Sequence, residues 1–175
     1  DAHGGSMTTT ALLVIDVQES FRVRSSWQAV NRPDIADRVA RLVDASRRRG
    51  DLVVWVLHAE PGTGTVFDPV NGHVRPIEGL APADGEPVLT KTAHNAFTTT
   101  NLHQMLTSRG VREVVFRGVQ TEQCCETTAR LASDLGFEVV FVTDATATTP
   151  LPHWTLPADA PIEEVLADPR TLTPE

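Results

Sequence analysis

Cysteine is rare in this chain and lysine rarer still. Among 175 residues there are two cysteines, and they are neighbours, Cys124 and Cys125. Adjacent thiols cannot clip distant segments together, which excludes a disulfide scaffold and makes reduced thiols in a cytoplasmic protein the expectation. No apolar run approaches the length that spans a bilayer, and nothing at the start reads as a signal peptide, so no membrane partner is expected. Positive charge is also short. Lys and Arg number 15 against 23 Asp and Glu, a net charge of −8, which argues against nonspecific nucleic-acid binding. Of the 15 basic residues only Lys91 is a lysine. Either that is chance or a drifting surface position, or Lys91 supplies what arginine cannot, a compact ammonium whose charge sits at one point and whose proton affinity can move.

What is present has the pattern of one α/β domain over residues 7–175, with residues 1–6 ahead of Met7 reading as an expression scar. Ala11-Leu12-Leu13-Val14-Ile15 is a short apolar run ending at Asp16, and residues 52–57 form another ending at His58. Val88-Leu89 leads to Lys91, residues 114–117 lead to a Gly-Val-Gln-Thr turn, and residues 139–142 lead towards Asp144. Between them, residues 33–49, 100–108 and 121–135 carry helical spacing, closed by Gly50, Gly110 and Gly136. Nearly all-apolar strands alternating with helices predict a parallel sheet covered on both faces, a three-layer α/β/α fold. Residues 59–87, rich in Gly and Pro, are too long for a simple connector and are expected to cover something.

Ligands of such sheets bind beyond the carboxyl ends of the strands. Asp16, His58, Lys91, the Gln120–Cys124 turn and Asp144 are all expected on that rim. With Thr121 as helix N-cap, Cys124 would fall in the first turn, where free N–H groups and the helix dipole favour a thiolate and a nearby oxyanion. Asp16 would serve as a partly desolvated base, and Lys91 as the cation that lets carboxylate and thiolate coexist. The plainer alternatives are a helix-capping aspartate, a surface salt bridge and two buried packing cysteines. Periodicity puts Cys125 on the stripe with Thr128, Ala129, Ala132 and Leu135 that faces the sheet, and Cys124 at its edge.

Taken together, Leu13-Val14-Ile15-Asp16-Val17-Gln18, Thr90-Lys91-Thr92-Ala93-His94-Asn95-Ala96-Phe97 and Gly118-Val119-Gln120-Thr121-Glu122-Gln123-Cys124 resemble the motifs of the isochorismatase-like cysteine hydrolases. Thr127-Thr128-Ala129-Arg130 and Val142-Thr143-Asp144-Ala145 extend the likeness, which covers residues 11–149. The resemblance implies a mostly parallel sheet in the order 3-2-1-4-5-6, a homo-oligomer (dimer or tetramer), and a triad of Asp16, Lys91 and Cys124. It also implies a cis peptide between Val119 and Gln120, with the N–H groups of Gln120 and Cys124 as an oxyanion hole. The reaction it implies is C–N hydrolysis of a small amide, carbamoyl or ureido compound through a thioester.

Relatives that hydrolyse nicotinamide place an Asp-x-His after the second strand to bind a metal. Here that place reads Val56-Leu57-His58-Ala59-Glu60, so no metal, no other cofactor and no nicotinamidase activity are expected. Substrate-wall candidates are Phe21, Trp27, His58, Phe97 and Gln123, with Trp154 in the tail; the aromatic ones could equally serve an oligomer interface. The end of the chain departs from the family pattern. Residues 150–161 read as irregular and Thr173-Pro174-Glu175 as the start of a helix, which leaves a sixth strand in doubt. The competing functions are vinyl-ether hydrolysis with Asp16 as general acid, which needs no thiol, and a non-catalytic binding module on the same fold.

Overall fold

A computed structural model describes residues 9–157 and 159–173; the expected scar at residues 1–6 and the expected helix start at Pro174 and Glu175 lie outside them. The apolar runs become five strands, β1 (Thr10–Ile15), β2 (Leu52–His58), β3 (Val88–Lys91), β4 (Glu113–Val119) and β5 (Glu138–Ala147). They form one sheet in the order β3-β2-β1-β4-β5, and every pairing is parallel. Five helices accompany them: α1 (Glu19–Arg22), α2 (Ile35–Arg49), α3 (Leu102–Ser108), α4 (Glu126–Asp134) and α5 (Ile162–Ala167). None of the described helices is long and apolar enough to cross a membrane.

The two-residue period of a strand sorts β1 between two cores. Ala11, Leu13 and Ile15 pack with Leu102 and Leu106 of α3 and Ala129 and Ala132 of α4. Leu12 and Val14 pack with Ile35, Val39 and Val43 of α2. Continuous burial follows, because each strand residue meets a helix on one side or the other. The 59–87 segment does cover something, namely the exit of β1. Gln18 bridges to Pro76, Ile77 N–H donates to the Val17 carbonyl at 3.0 Å, and Phe67, Ile77 and Leu80 are buried there.

Two features of the sheet depart from expectation. β5 runs on to Ala147, with a register break: Phe116 pairs with Phe141 but Gly118 with Thr146, so a two-residue step on β4 faces a five-residue step on β5. Asp144 sits in the surplus residues, exposed, its carbonyl accepting from Arg38 Nη1 at 3.2 Å. It therefore does not reach the rim, and Thr146 to Thr149 take that place. No sixth strand occurs among the described residues. The tail instead returns through an isolated bridge between Leu151 and Leu172, and α5 packs Ile162 and Val165 against Ala29.

Gly118 is the closest approach in the sheet. Its φ is 140°, and a Cβ there would lie 1.9 Å from the Ile15 carbonyl oxygen, inside backbone that cannot move aside. Gly118→Ala should therefore cost roughly 3 kcal/mol or more, well above a typical single substitution. Urea unfolding of the variant checks this; a loss below about 1 kcal/mol would show that β1 and β4 can separate at that point.

Candidate active site

Three chain segments meet at the carboxyl edge of the sheet. Asp16 follows β1 in a left-handed conformation, φ 52°, with its N–H on the Val56 carbonyl at 2.8 Å and its own carbonyl taking Gln18 N–H at 2.8 Å. This is a conformation that aspartate tolerates better than most residues. Lys91 ends β3, with β2 lying between it and β1, a separation of about 10 Å at ordinary strand spacing. A lysine side chain is long enough to cross most of that gap. Cys124 comes from the turn that follows β4.

That turn is wider than an α-helical start. The Val119–Gln120 peptide is cis, and the Gln120 carbonyl accepts from Gln123 N–H and Cys125 N–H, each at 3.2 Å, passing over Cys124. The expected helix over residues 121–135 is thus a π turn, Thr121–Cys125, leading into α4 at Glu126. Thr121 is not the cap. Gln120 holds that position, and the Thr121 hydroxyl donates to Thr146 Oγ1 at 2.9 Å. Gln120 is buried and its Nε2 donates to Thr149 Oγ1 at 2.8 Å, tying the turn to the end of β5. Thr128 Oγ1 donates to the Cys124 carbonyl at 2.6 Å and accepts Ala96 N–H at 3.1 Å, tying it to the loop after Lys91.

At the centre is the Lys91 ammonium. Its Nζ stands 2.9 Å from Asp16 Oδ2, 3.2 Å from His58 Nδ1 and 3.5 Å from Cys124 Sγ. Asp16 and Lys91 are 0% exposed and Cys124 is 7% exposed. The contact with Asp16 is an ion pair without hydrogen-bond alignment, and neither carboxylate oxygen accepts a directed hydrogen bond. Burial accordingly raises the Asp16 carboxyl above its ordinary value, with Lys91 opposing. Burial and then the Asp16 charge push the Cys124 thiol up to about 12, against the pull of Lys91. The expected resting thiolate is therefore not what this site favours. Desolvation outweighs the turn and the cation, so the thiol keeps its proton while the neighbouring carboxylate gains affinity for one.

The other candidates are distributed unevenly. His58 is half-buried beside Lys91. Phe21 is buried edge-on to Phe67, ring centres 4.9 Å apart, and Phe67 in turn meets His58 at 5.6 Å. Gln123 is half-buried in the π turn. Trp27 borders a surface cavity of about 170 Å³ with Arg22, Ile35, Ile77 and Glu78, whose lining includes none of Asp16, Lys91 and Cys124. Phe97 belongs to the α3–α4 core, stacked on Phe137 with centres 6.3 Å apart, because the chain after Lys91 folds back under the helices. Trp154 is 86% exposed in the tail, and Cys125 is fully buried. Among the described residues His58, His73 and His94 do not form a group that could hold a metal ion.

Gln18 carries a role that reading the residues singly misses. It is fully buried, takes His58 N–H on Oε1 at 2.7 Å and gives Nε2 to the His58 carbonyl at 2.9 Å. The one signal in the sequence is its place two residues after Asp16, at the exit of an apolar strand.

Comparison with known proteins bears on the family and the fold. The isochorismatase domain model matches residues 10–156. A streptothricin hydrolase of Streptomyces noursei is 40% identical over 148 residues, 81% of this chain, although the match spans only 56% of that enzyme. Nicotinamidase 3 of Arabidopsis thaliana is 36% identical over 152 residues, covering 79% of this chain and 73% of its own. An isochorismatase structure from Pseudomonas putida KT2440 superposes with a TM-score of 0.75 at 32% identity, over 90% of this chain and 81% of its own.

With the thiol raised to about 12, the thiolate fraction grows only as pH climbs towards that value. Iodoacetamide should label Cys124 slowly at pH 7, and the rate should rise about tenfold per pH unit through pH 9 and 10. Peptide mass spectrometry reads this directly; a rate already level between pH 6 and 8 would mean that a thiolate is present at rest.

Proposed function

The chain belongs to the isochorismatase family, and within it we propose a cysteine-dependent hydrolase that cleaves a C–N bond of a small amide, carbamoyl or ureido compound. The observation that carries the reading is the Lys91 ammonium held within 3.5 Å of a thiol and 2.9 Å of a carboxylate, all three buried. A nucleophile, a base and a cation in one dry site are what thiol addition to a carbonyl requires.

The steps follow from the proton affinities. Asp16 takes the proton of Cys124 as the sulfur attacks the carbonyl carbon, and Lys91 stabilises the charge left on sulfur. The oxyanion forms beside the π turn, where the N–H groups of Gln120 and Cys124 would receive it. The C–N bond breaks and the leaving nitrogen takes the proton from Asp16, giving a thioester. Asp16 then deprotonates water, which attacks the thioester; the C–S bond breaks and the proton returns to sulfur. Amide plus water yields acid plus ammonia or amine, and no group is consumed. Burial raises the carboxyl as well as the thiol, so the Asp16 carboxylate is a stronger base here than a solvated aspartate.

The near-complete burial of the three groups favours a small substrate, with Gln123 and the Phe21–Phe67 pair as nearby side chains that could bound it. The reading includes a homo-oligomer, dimer or tetramer, whose mass light scattering would give. A raised Asp16 carboxyl also suits a general acid, which favours vinyl-ether hydrolysis as the second reading.

One panel separates the two. Amides, carbamoyl amino acids and ureides are scored by ammonia release, and an enol-ether substrate by loss of the ether. Cys124→Ala should lower kcat for the active amide by about 10³-fold or more and Asp16→Asn comparably, since groups that act as a unit fail together. Ether cleavage that survives Cys124→Ala but not Asp16→Asn would replace the thioester route by general-acid chemistry.

A further inference from the structure

We infer that His58 is a positioning residue for the Lys91 ammonium: its Nδ1 takes one N–H of Nζ and so keeps the charge pinned between Asp16 and Cys124. The inference rests on the reading of Cys124 as nucleophile, and it assigns His58 a place other than the substrate wall.

An ammonium carries three rotatable donors and no directional preference of its own, so its acceptors decide where its charge sits. Lys91 has three within reach: Asp16 Oδ2 at 2.9 Å, His58 Nδ1 at 3.2 Å and Cys124 Sγ at 3.5 Å. In a site with no exposure at Lys91, losing one of them leaves a donor unmet or lets the ammonium swing towards a new partner. His58 is the neutral nitrogen acceptor of the set. It can therefore hold the ammonium without competing with the carboxylate for its charge.

The imidazole is itself held in the tautomer this needs. To accept at Nδ1 it must carry its hydrogen on Nε2, and Nε2 lies 3.4 Å from Glu60 Oε1, an atom that only accepts. Burial and the nearby Lys91 cation both lower the proton affinity of the ring, with Asp16 and Glu60 opposing, which keeps the neutral form. Gln18 clamps the His58 backbone on both its N–H and its carbonyl, and Phe67 meets the ring face at 69°. With Nδ1 on Lys91 and Nε2 on Glu60, neither ring nitrogen is free for a substrate.

A substitution series tests this in the full chain with iodoacetamide as the probe. In His58→Asn the amide oxygen can occupy the place of Nδ1, His58→Gln reaches instead to the place of Nε2, and His58→Leu fills the volume with no acceptor. Cys124 alkylation at pH 9 should fall roughly tenfold in the Leu and Gln variants, the equivalent of one unit in the thiol pKa, and stay within about twofold of wild type in the Asn variant. Thermal unfolding of each variant accompanies the rates, and the Gln variant decides if Leu fails to fold. Equal rates across the series, or an Asn variant as slow as Leu, would overturn the inference. Lys91→Met is the control: slowed labelling there with an unaffected His58 series sinks only the role of His58, whereas unchanged labelling in Lys91→Met sinks the thiol–lysine reading with it.

Discussion

The structure turns on a single ion pair. Asp16 and Lys91 are both withdrawn from water, 2.9 Å apart, at the exits of strands that are not neighbours. Taking either charge into such a site alone costs several kcal/mol, and removing one partner of a buried pair typically destabilises by about 3–5 kcal/mol. A pair of this kind is therefore a weak source of stability and a strong constraint on geometry. It links the ends of β3 and β1 across β2, under the part of the 59–87 segment that covers the exit of β1. The left-handed turn at Asp16 and the Gln18 clamp on His58 serve the same end.

Burial in turn sets the chemistry. The site lifts the proton affinities of thiol and carboxyl together, and the cation between them limits how far each can rise. A thiolate waiting at rest would need a more exposed or more positive surrounding. On the proposed reading the nucleophile forms at the moment of attack, with the charge handed from carboxylate to sulfur to oxyanion inside one small volume. The π turn contributes by leaving the Gln120 carbonyl to Gln123 and Cys125 and passing over the residue between them.

Much of the fold was legible because its signals are local. Short apolar runs ending in Asp16, His58 and Lys91 marked strands whose exits share an edge, and the lone lysine among fourteen arginines proves to be buried rather than on the surface. The misreadings came from features that depend on what lies opposite. Thr121 has the identity of an N-cap, yet its hydroxyl goes to Thr146 across the turn. Asp144 follows a strand pattern, yet the register break swings it to the surface of α2. In each case the deciding partner is distant in the chain, and periodicity carries no information about it.

By itself the sequence determined the class of the sheet, which residues end its strands, and which side chains of suitable type were present. Those follow from hydrophobic spacing and side-chain chemistry, both properties of short segments. Only the tertiary structure decided that the thiol is buried beside an ammonium and a carboxylate, that His58 faces a lysine and a glutamate, and that Gln18 holds it there. Desolvation and three-way contact are properties of the closed site, summed over segments that lie dozens of residues apart, and they exist only once the chain has folded around the ion pair.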